Sequence, residues 1–270
     1  MKITKDTRLV VSFASKQNSI GAAMHNAGYK ALGVDFVYIP IATDDIKNAI
    51  SGIRGFNLCG NTVSMPHKQS VMQYLDKIDP IARVIGAVNT VQNKEGLLTG
   101  YNSDWIGAMN ALNEATELKH KRVIVIGAGG AARAIIYGLK QNEAHTCIYA
   151  RNTAKAKELA DEFGAELGGD IDDLQSAEYD VVINATSVGF GTDESIVDKS
   201  FFRPDTVAMD VVFVPAETTF MKDAKNQGAQ VVAGYRMLIH QALFQMELFT
   251  GQKAPFDVMQ DALLEALSAW

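Results

Sequence analysis

The sequence predicts an α/β protein of two domains, the second a doubly wound parallel sheet. Three observations predict it. Short apolar runs alternate with helical patterns along most of the chain, the signature of strands joined by crossover helices. The run Arg122-Val-Ile-Val-Ile126 feeds directly into the glycine-rich turn Gly127-Ala-Gly129-Gly130-Ala-Ala132, which opens a helix. The 270 residues, 47% hydrophobic and 21% charged, supply enough apolar material for two cores of modest size.

In the first part, Leu9 to Phe13 reads as a strand and Gly21 to Leu32 as a helix. Val34 to Ile41 is the next strand, Thr43 to Ile53 the next helix, and Gly55 to Val63 the third strand. That alternation implies a mostly parallel sheet. A helix is expected over Lys68 to Asp76. Ala87 to Val91 and Leu97 to Gly100, with Gly96 between them, read as a short antiparallel hairpin. The polar run Asn102-Ser103-Asp104 can cap a helix starting at Trp105, and the charged stretch Glu117 to Lys121 separates the two parts.

From Arg122 the strand and helix rhythm resumes, through His145 to Ala150, Val181 to Thr186, Val207 to Phe213 and Gln230 to Gly234. Two apolar helices follow, Met237 to Phe249 and Phe256 to Leu267, divided by Gly251 and Pro255. The second sheet is complete without them, so they are expected to return to the first domain. This gives residues 1–107, completed by 237–270, as a substrate-binding and catalytic domain, and 108–236 as a nucleotide-binding domain of Rossmann type.

The glycine-rich turn carries the first chemistry. Gly127 and Gly129 let the chain turn tightly and bring backbone N–H groups to a pyrophosphate, while Ala132 keeps the helix close to the strand. The helix N-terminus adds unpaired N–H donors and a partial positive charge. A purely structural glycine turn is the competing reading. A cofactor lacking the 2'-phosphate needs an acid about twenty residues further on to hold its ribose hydroxyls. The second strand ends instead in Arg151-Asn152-Thr153-Ala-Lys155, two cations and two small polar groups, which suit a 2'-phosphate. NADP is therefore the expected cofactor, with solvated surface charges as the alternative account of Arg151 and Lys155.

Composition limits the partners. The formal net charge is −6, from 31 acidic and 25 basic side chains with no basic block, so nucleic acid is not expected. Cys59 and Cys147 form no CxxC pair, and the five histidines show no metal-ligand spacing. A reducing, metal-free, cytoplasmic setting is the simplest expectation. The apolar stretch Leu9 to Ala14 is too short for a signal-peptide core, and no run approaches the roughly 18 residues of a membrane span. The pattern of apolar strand edges leaves monomer and homodimer both open.

Several polar residues stand at element ends. Lys68 follows Gly60-Asn61-Thr62-Val63-Ser64-Met65-Pro66-His67 at the C-terminal end of a strand, where ligands sit in open α/β sheets. Asn89 and the run Asn102-Ser103-Asp104 occupy similar places. A solvated lysine, a turn asparagine and a helix cap are the competing readings. Together, the segments Ser64-Met-Pro-His-Lys68, Gly86-Ala-Val-Asn-Thr90, Asn102-Ser-Asp104, Gly127-Ala-Gly-Gly-Ala131, Asn184-Ala-Thr-Ser187 and Met237-Leu-Ile-His-Gln241 stand in one order that resembles the shikimate dehydrogenases along essentially the whole chain.

The resemblance implies reversible, metal-free hydride transfer between NADP and a secondary alcohol on a cyclic hydroxy acid. It implies Lys68 and Asp104 as the catalytic pair, the lysine relaying the hydroxyl proton and the aspartate orienting lysine and hydroxyl. It places Ser19, Thr62, Ser64, Asn89 and Gln241 at the substrate. Gly127, Ala128, Gly129, Gly130, Ala131, Arg151, Asn152, Lys155, Thr186 and Gly234 fall at the cofactor. The chain also departs from the family pattern. Gly21 stands where a second carboxylate-binding serine is expected after Ser19, Thr62 where an asparagine is, Ser64 where a threonine is, Phe213 where a tyrosine is, and Trp105 where a glycine is.

A hydrogen bond to a charged group contributes about 1.5 to 3 kcal/mol, so losing one or two costs shikimate about two to four orders of magnitude. Weak activity on shikimate, with a related hydroxy acid as the better substrate, is the expectation. Trp105 adds bulk beside Asp104 and leaves less room for quinate. A fully efficient shikimate enzyme with a rebuilt carboxylate site, and an NADP(H) sensor without chemistry, are the alternatives.

Overall fold

The computed structural model describes residues 3–270, with Gln175 and Ser176 described through their backbone only. The described residues divide into two compact units, 3–103 with 241–269, and 104–240 with Trp270.

The first unit is built on a six-stranded sheet. Its strands are β1 (Arg8–Ala14), β2 (Phe36–Ala42), β3 (Gly60–Val63), β4 (Lys77–Ile78), β5 (Thr90–Lys94) and β6 (Leu97–Tyr101), in the order β2-β1-β3-β5-β6-β4. β1 runs parallel to β2 and β3, whereas β5 is antiparallel to both β3 and β6. The sheet is therefore mixed rather than mostly parallel. The two-residue turn at Glu95 and Gly96, both with positive φ, is too short for a crossover and forces the hairpin.

The helices are α1 (Ile20–Leu32), α2 (Ile46–Gly55) and the short α3 (Pro80–Ile85). Asp79 caps α3 through Ile81 and Ala82, with Pro80 in the first turn, a placement where the missing proline N–H costs nothing. Ile46, Ile50 and Ile53 of α2 enter a core with Val11, Phe13 and Val63.

The expected helix over Lys68 to Asp76 is a 3-10 turn at Ser70–Tyr74. The Lys68 carbonyl accepts from Val88 N–H at 2.8 Å, and Met72 N–H turns to Gln69 instead, at 3.2 Å. A long-range backbone bond has taken the acceptor an α-helix would use.

The second unit carries β7 (Arg122–Ile126), β8 (His145–Tyr149), β9 (Glu166–Gly169), β10 (Val181–Asn184), β11 (Val207–Asp210) and β12 (Gln230–Val232). They are all parallel, in the order β12-β11-β10-β7-β8-β9. The order reverses between β10 and β7, the switch point where such sheets bind ligands. Val123 to Ile126 are all buried, as a strand covered on both faces requires.

One face packs α4 (Asp104–Asn113), α5 (Gly130–Gln141) and α6 (Thr153–Phe163); the other packs α7 (Thr219–Asn226) and aromatic residues Phe201, Phe202 and Phe220. Two helices close the chain, α8 (Gly234–Thr250) and α9 (Phe256–Ser268). Gly28 of α1 lets α8 and α9 approach, since a Cβ there would stand 2.7 Å from Met246 Cε and 2.9 Å from Met259 Cγ.

The unit boundaries fall at 103/104 and 240/241, where the sequence suggested 107/108 and 236/237. Packing explains both shifts. The whole of α4 sits on α5, with Met109 Cγ 2.7 Å from where a Gly138 Cβ would stand and Trp105 edge-on to Tyr137 at 5.5 Å. The first turns of α8 are tied to Glu114, which receives Arg236 through both Nε and Nη2 and His240 Nε2 at 2.7 Å.

Candidate active site

Residues of the first unit that the sequence assigns to substrate gather at the C-terminal ends of β1 and β3. Ser19 is the N-cap residue of α1, yet its side chain makes no capping bond; Asn18 Oδ1 takes the Ile20 N–H at 3.0 Å instead. The exposed Ser19 hydroxyl stands at the positive end of a thirteen-residue helix, where a carboxylate is favoured. Gly21 lies one step inside, and a Cβ on it would be 3.6 Å from Tyr38 Oη. That is ordinary contact distance, so packing does not require glycine here.

Lys68 leaves the end of β3 through a turn held at three points. Ser64 N–H donates to Phe13 O at 2.8 Å, His67 N–H to Ser64 O at 2.9 Å, and the buried His67 ring bonds Thr43 O at 2.8 Å. With the Lys68 carbonyl also fixed by Val88, the backbone that carries the ammonium group is set. Ser64 is exposed and Thr62 is buried. The Thr62 hydroxyl bonds Tyr38 Oη at 2.5 Å.

Asn89 is 3% exposed. Its Oδ1 accepts from Ser103 N–H at 2.8 Å and Thr90 Oγ1 at 2.9 Å, so its carboxamide has one orientation. Tyr38, His25 and Gln245 escaped the sequence reading. Their signal lies in partners rather than spacing: Asn26 clamps the Tyr38 backbone, donating to its carbonyl at 3.0 Å and accepting its N–H at 2.8 Å.

In the second unit the two turn glycines have different causes. Gly127 has φ +124°, and a Cβ would stand 3.0 Å from Ala185 O and 3.2 Å from Thr186 Cγ2; the fold itself demands glycine there. Gly129 has extended backbone with φ −93°, and a Cβ would meet nothing within 4 Å. No packing contact requires glycine there. Ala132 is fully buried on the inner face of α5, while Gly130 and Ala131 stand in the helix's first turn with Ala128 just before it.

Arg151 and Lys155 are exposed at the end of β8, and Asn152 caps α6, its Oδ1 accepting Lys155 N–H at 3.0 Å. Thr186 is folded into the loop after β10, donating to Asn184 Oδ1 at 2.7 Å. Gly234 opens α8, where a Cβ would stand 2.3 Å from Val212 O, so backbone packing alone requires glycine. Asp104, the first residue of α4, is buried.

Comparison with known proteins decides the family. Three family models match successive stretches: the shikimate dehydrogenase substrate binding domain over residues 15–91, shikimate / quinate 5-dehydrogenase over 109–203, and the shikimate 5'-dehydrogenase C-terminal domain over 234–264. A protein of Methanobrevibacter smithii named shikimate dehydrogenase (NADP(+)) is 40% identical, over 93% of this chain and 94% of that one.

The chain belongs to the shikimate dehydrogenase family.

A shikimate dehydrogenase-like protein of Haemophilus influenzae is 35% identical over 96% of this chain and 97% of its own. The shikimate 5-dehydrogenase of Thermus thermophilus, solved with NADP(H) and shikimate, superposes with a TM-score of 0.90 at 31% identity, covering 96% of this chain and 99% of that one. Family membership accounts for the order of the motifs and for the two-unit α/β architecture.

Two departures from the family pattern have structural accounts. Trp105 packs edge-on against Tyr137 within the second unit, at 5.5 Å. Phe213 packs edge-on against Phe190 at 6.0 Å, where a ring without a hydroxyl suffices.

Proposed function

We propose that the chain is an NADP-dependent oxidoreductase that oxidises the secondary alcohol of shikimate to 3-dehydroshikimate, with efficiency lowered at the carboxylate. The observation that carries this reading is Ser19. Its hydroxyl stands uncommitted to capping at the N-terminus of α1, on the same unit as the anchored Lys68 and the oriented Asn89, and the neighbouring hydroxyl at Gly21 is missing. The enzyme class and cofactor follow from family membership, and the open approach to Gly129 together with Arg151 and Lys155 fits a nucleotide with a 2'-phosphate.

Bound NADP+ supplies the hydride acceptor. On the protein side, Lys68 takes the proton of the reacting hydroxyl and releases it to solvent, and Asp104 orients that hydroxyl. Ser19 and the α1 N-terminus hold the carboxylate; Asn89 and Gln241 bind ring hydroxyls, and Thr62 and Ser64 line the same ligand.

The test is the initial rate of NADP+ reduction with saturating shikimate, beside NAD+ and a panel of related cyclic hydroxy acids. A slow NADP-specific rate on shikimate is expected; no rate on any member despite tight NADPH binding would overturn the reading.

The missing hydroxyl gives a sharper expectation. A Cβ at position 21 stays at ordinary contact distance from Tyr38, and in Gly21→Ser the KM for shikimate should fall about tenfold or more with the KM for NADP+ unchanged. An unaltered KM would show that position 21 does not face the carboxylate. On the cofactor side, Arg151→Ala should raise the KM for NADP+ by about ten- to a hundredfold, the range of one lost charge-assisted phosphate contact, while weak use of NAD+ stays as it was. Equal effects on both cofactors would place Arg151 elsewhere.

A further inference from the structure

The buried polar groups behind the proposed substrate residues form one connected set within the first unit. Gln245 is 5% exposed and lies one helical turn beyond Gln241 on α8, so the two side chains share a face. Its Nε2 donates to Thr90 Oγ1 at 3.0 Å and to Ser103 Oγ at 3.2 Å. Thr90 Oγ1 donates onward to Asn89 Oδ1 at 2.9 Å, and Ser103 N–H donates to the same oxygen at 2.8 Å.

The direction of these bonds matters. A hydroxyl has one proton. Because Gln245 donates to Thr90, the threonine proton is left for Asn89 Oδ1, and the carboxamide is held at both ends, its Nδ2 donating to Ser103 Oγ at 3.0 Å.

On its other side Gln245 adjoins His25 of α1. His25 Nδ1 lies 2.9 Å from the Gly21 carbonyl, an acceptor, so that nitrogen carries the ring proton and Nε2 presents a lone pair. The imidazole stacks on Tyr38, with centroids 4.3 Å apart and planes 12° apart, and Tyr38 bonds Thr62. Burial lowers His25 to about 4, so the set is uncharged at neutral pH. The amide thus bonds the groups that orient Asn89, while the His25 ring beside it keeps a buried Nε2 without a hydrogen-bond partner.

We propose that Gln245 is a positioning residue for substrate: by donating to Thr90 and Ser103 it fixes the orientation of the Asn89 carboxamide. The proposal rests on the reading of Asn89 as a substrate-binding residue. It distinguishes Gln245 from a core residue by polarity. Glutamate has the same shape but, ionised, only accepts; Thr90 then turns its proton to residue 245 and leaves the Asn89 carboxamide held through Ser103 alone.

The experiment compares Gln245→Glu, Gln245→Met, Asn89→Ala and the double variant Asn89→Ala with Gln245→Met. Steady-state kinetics are taken with shikimate and NADP+ on the full chain, with thermal unfolding measured in parallel. Gln245→Glu and Gln245→Met should each raise the KM for shikimate about tenfold, with the KM for NADP+ unchanged and kcat within about threefold. If the glutamate variant fails to fold, the methionine variant, of similar volume and uncharged, carries the comparison.

In the double variant the KM should match that of Asn89→Ala alone, because Gln245 acts through Asn89. A KM for shikimate unmoved by either Gln245 variant, while Asn89→Ala raises it, overturns the proposal and leaves the role of Asn89 standing. Multiplying effects in the double variant overturn it too, showing a path that bypasses Asn89. No effect from Asn89→Ala overturns both.

Discussion

Lys68→Ala is expected to lower kcat for shikimate oxidation by about two to four orders of magnitude, the usual contribution of a positioned proton relay, and to leave the affinity for NADPH as it was. The turn that carries Lys68 is held by bonds from Ser64 to Phe13 and from His67 to Thr43, and the lysine's own carbonyl is held by Val88. Three long-range anchors for one short turn fix the point from which the ammonium group reaches. Removing the side chain spares all of them, since they are backbone bonds or belong to His67. The backbone of the turn should therefore keep its path in the variant. Fluorescence titration with NADPH, beside stopped-flow rates of NADP+ reduction, separates the outcomes. A kcat within threefold of the parent would remove Lys68 from the reaction.

The second large effect concerns stability. Asp210, at the end of β11, is fully buried, and its carboxylate accepts Asn184 Nδ2 and Val212 N–H, both at 2.9 Å, and Thr218 Oγ1 at 2.6 Å. Asn184 in turn fixes Thr186, so the carboxylate organises the loop proposed to meet the cofactor.

Asp210→Ala strands three buried donors, and about 4 kcal/mol of stability should be lost at pH 5, near 10 °C in Tm for a chain of this size.

The loss should shrink with pH. Burial pushes the Asp210 carboxyl up to about 6, against about 3.9 in an unfolded chain. A folded value raised above the unfolded one gives stability that is complete below about pH 4 and declines as pH rises through 6. By pH 8 the parent has given up about 3 kcal/mol at this group, which the alanine variant never had. The gap in Tm between parent and variant should therefore narrow from pH 5 to pH 8; a gap that widens would mean the carboxylate is stabilised in its charged form.

Much of this was legible in the chain itself. The buried strand before Gly127, the helix after it and the cations after Ala150 are local patterns, and local patterns survive folding because they encode which face of each element meets a core. The Lys68 turn was legible for the same reason, since Pro66 and the end of an apolar strand stand next to it. The helix expected over Lys68 to Asp76 was not realised, because the acceptor it needed went to Val88, a residue on another element. Asn152 looked like a cofactor ligand, and its side chain also caps α6.

What the sequence determined by itself is the order and kind of the elements, the family to which they belong, and the residues offered at strand ends. The tertiary structure decided which way those residues face and which glycines the protein needs. Gly127 and Gly234 are compelled by carbonyls of Ala185 and Val212, while Gly129 and Gly21 meet no such demand. The Asn89 carboxamide is oriented through Gln245, which stands 155 residues from Thr90 in the chain. Periodicity records burial, which is a property of each segment. Hydrogen-bond direction and the space left by an absent side chain belong to pairs of segments, and they come into being only when the chain closes.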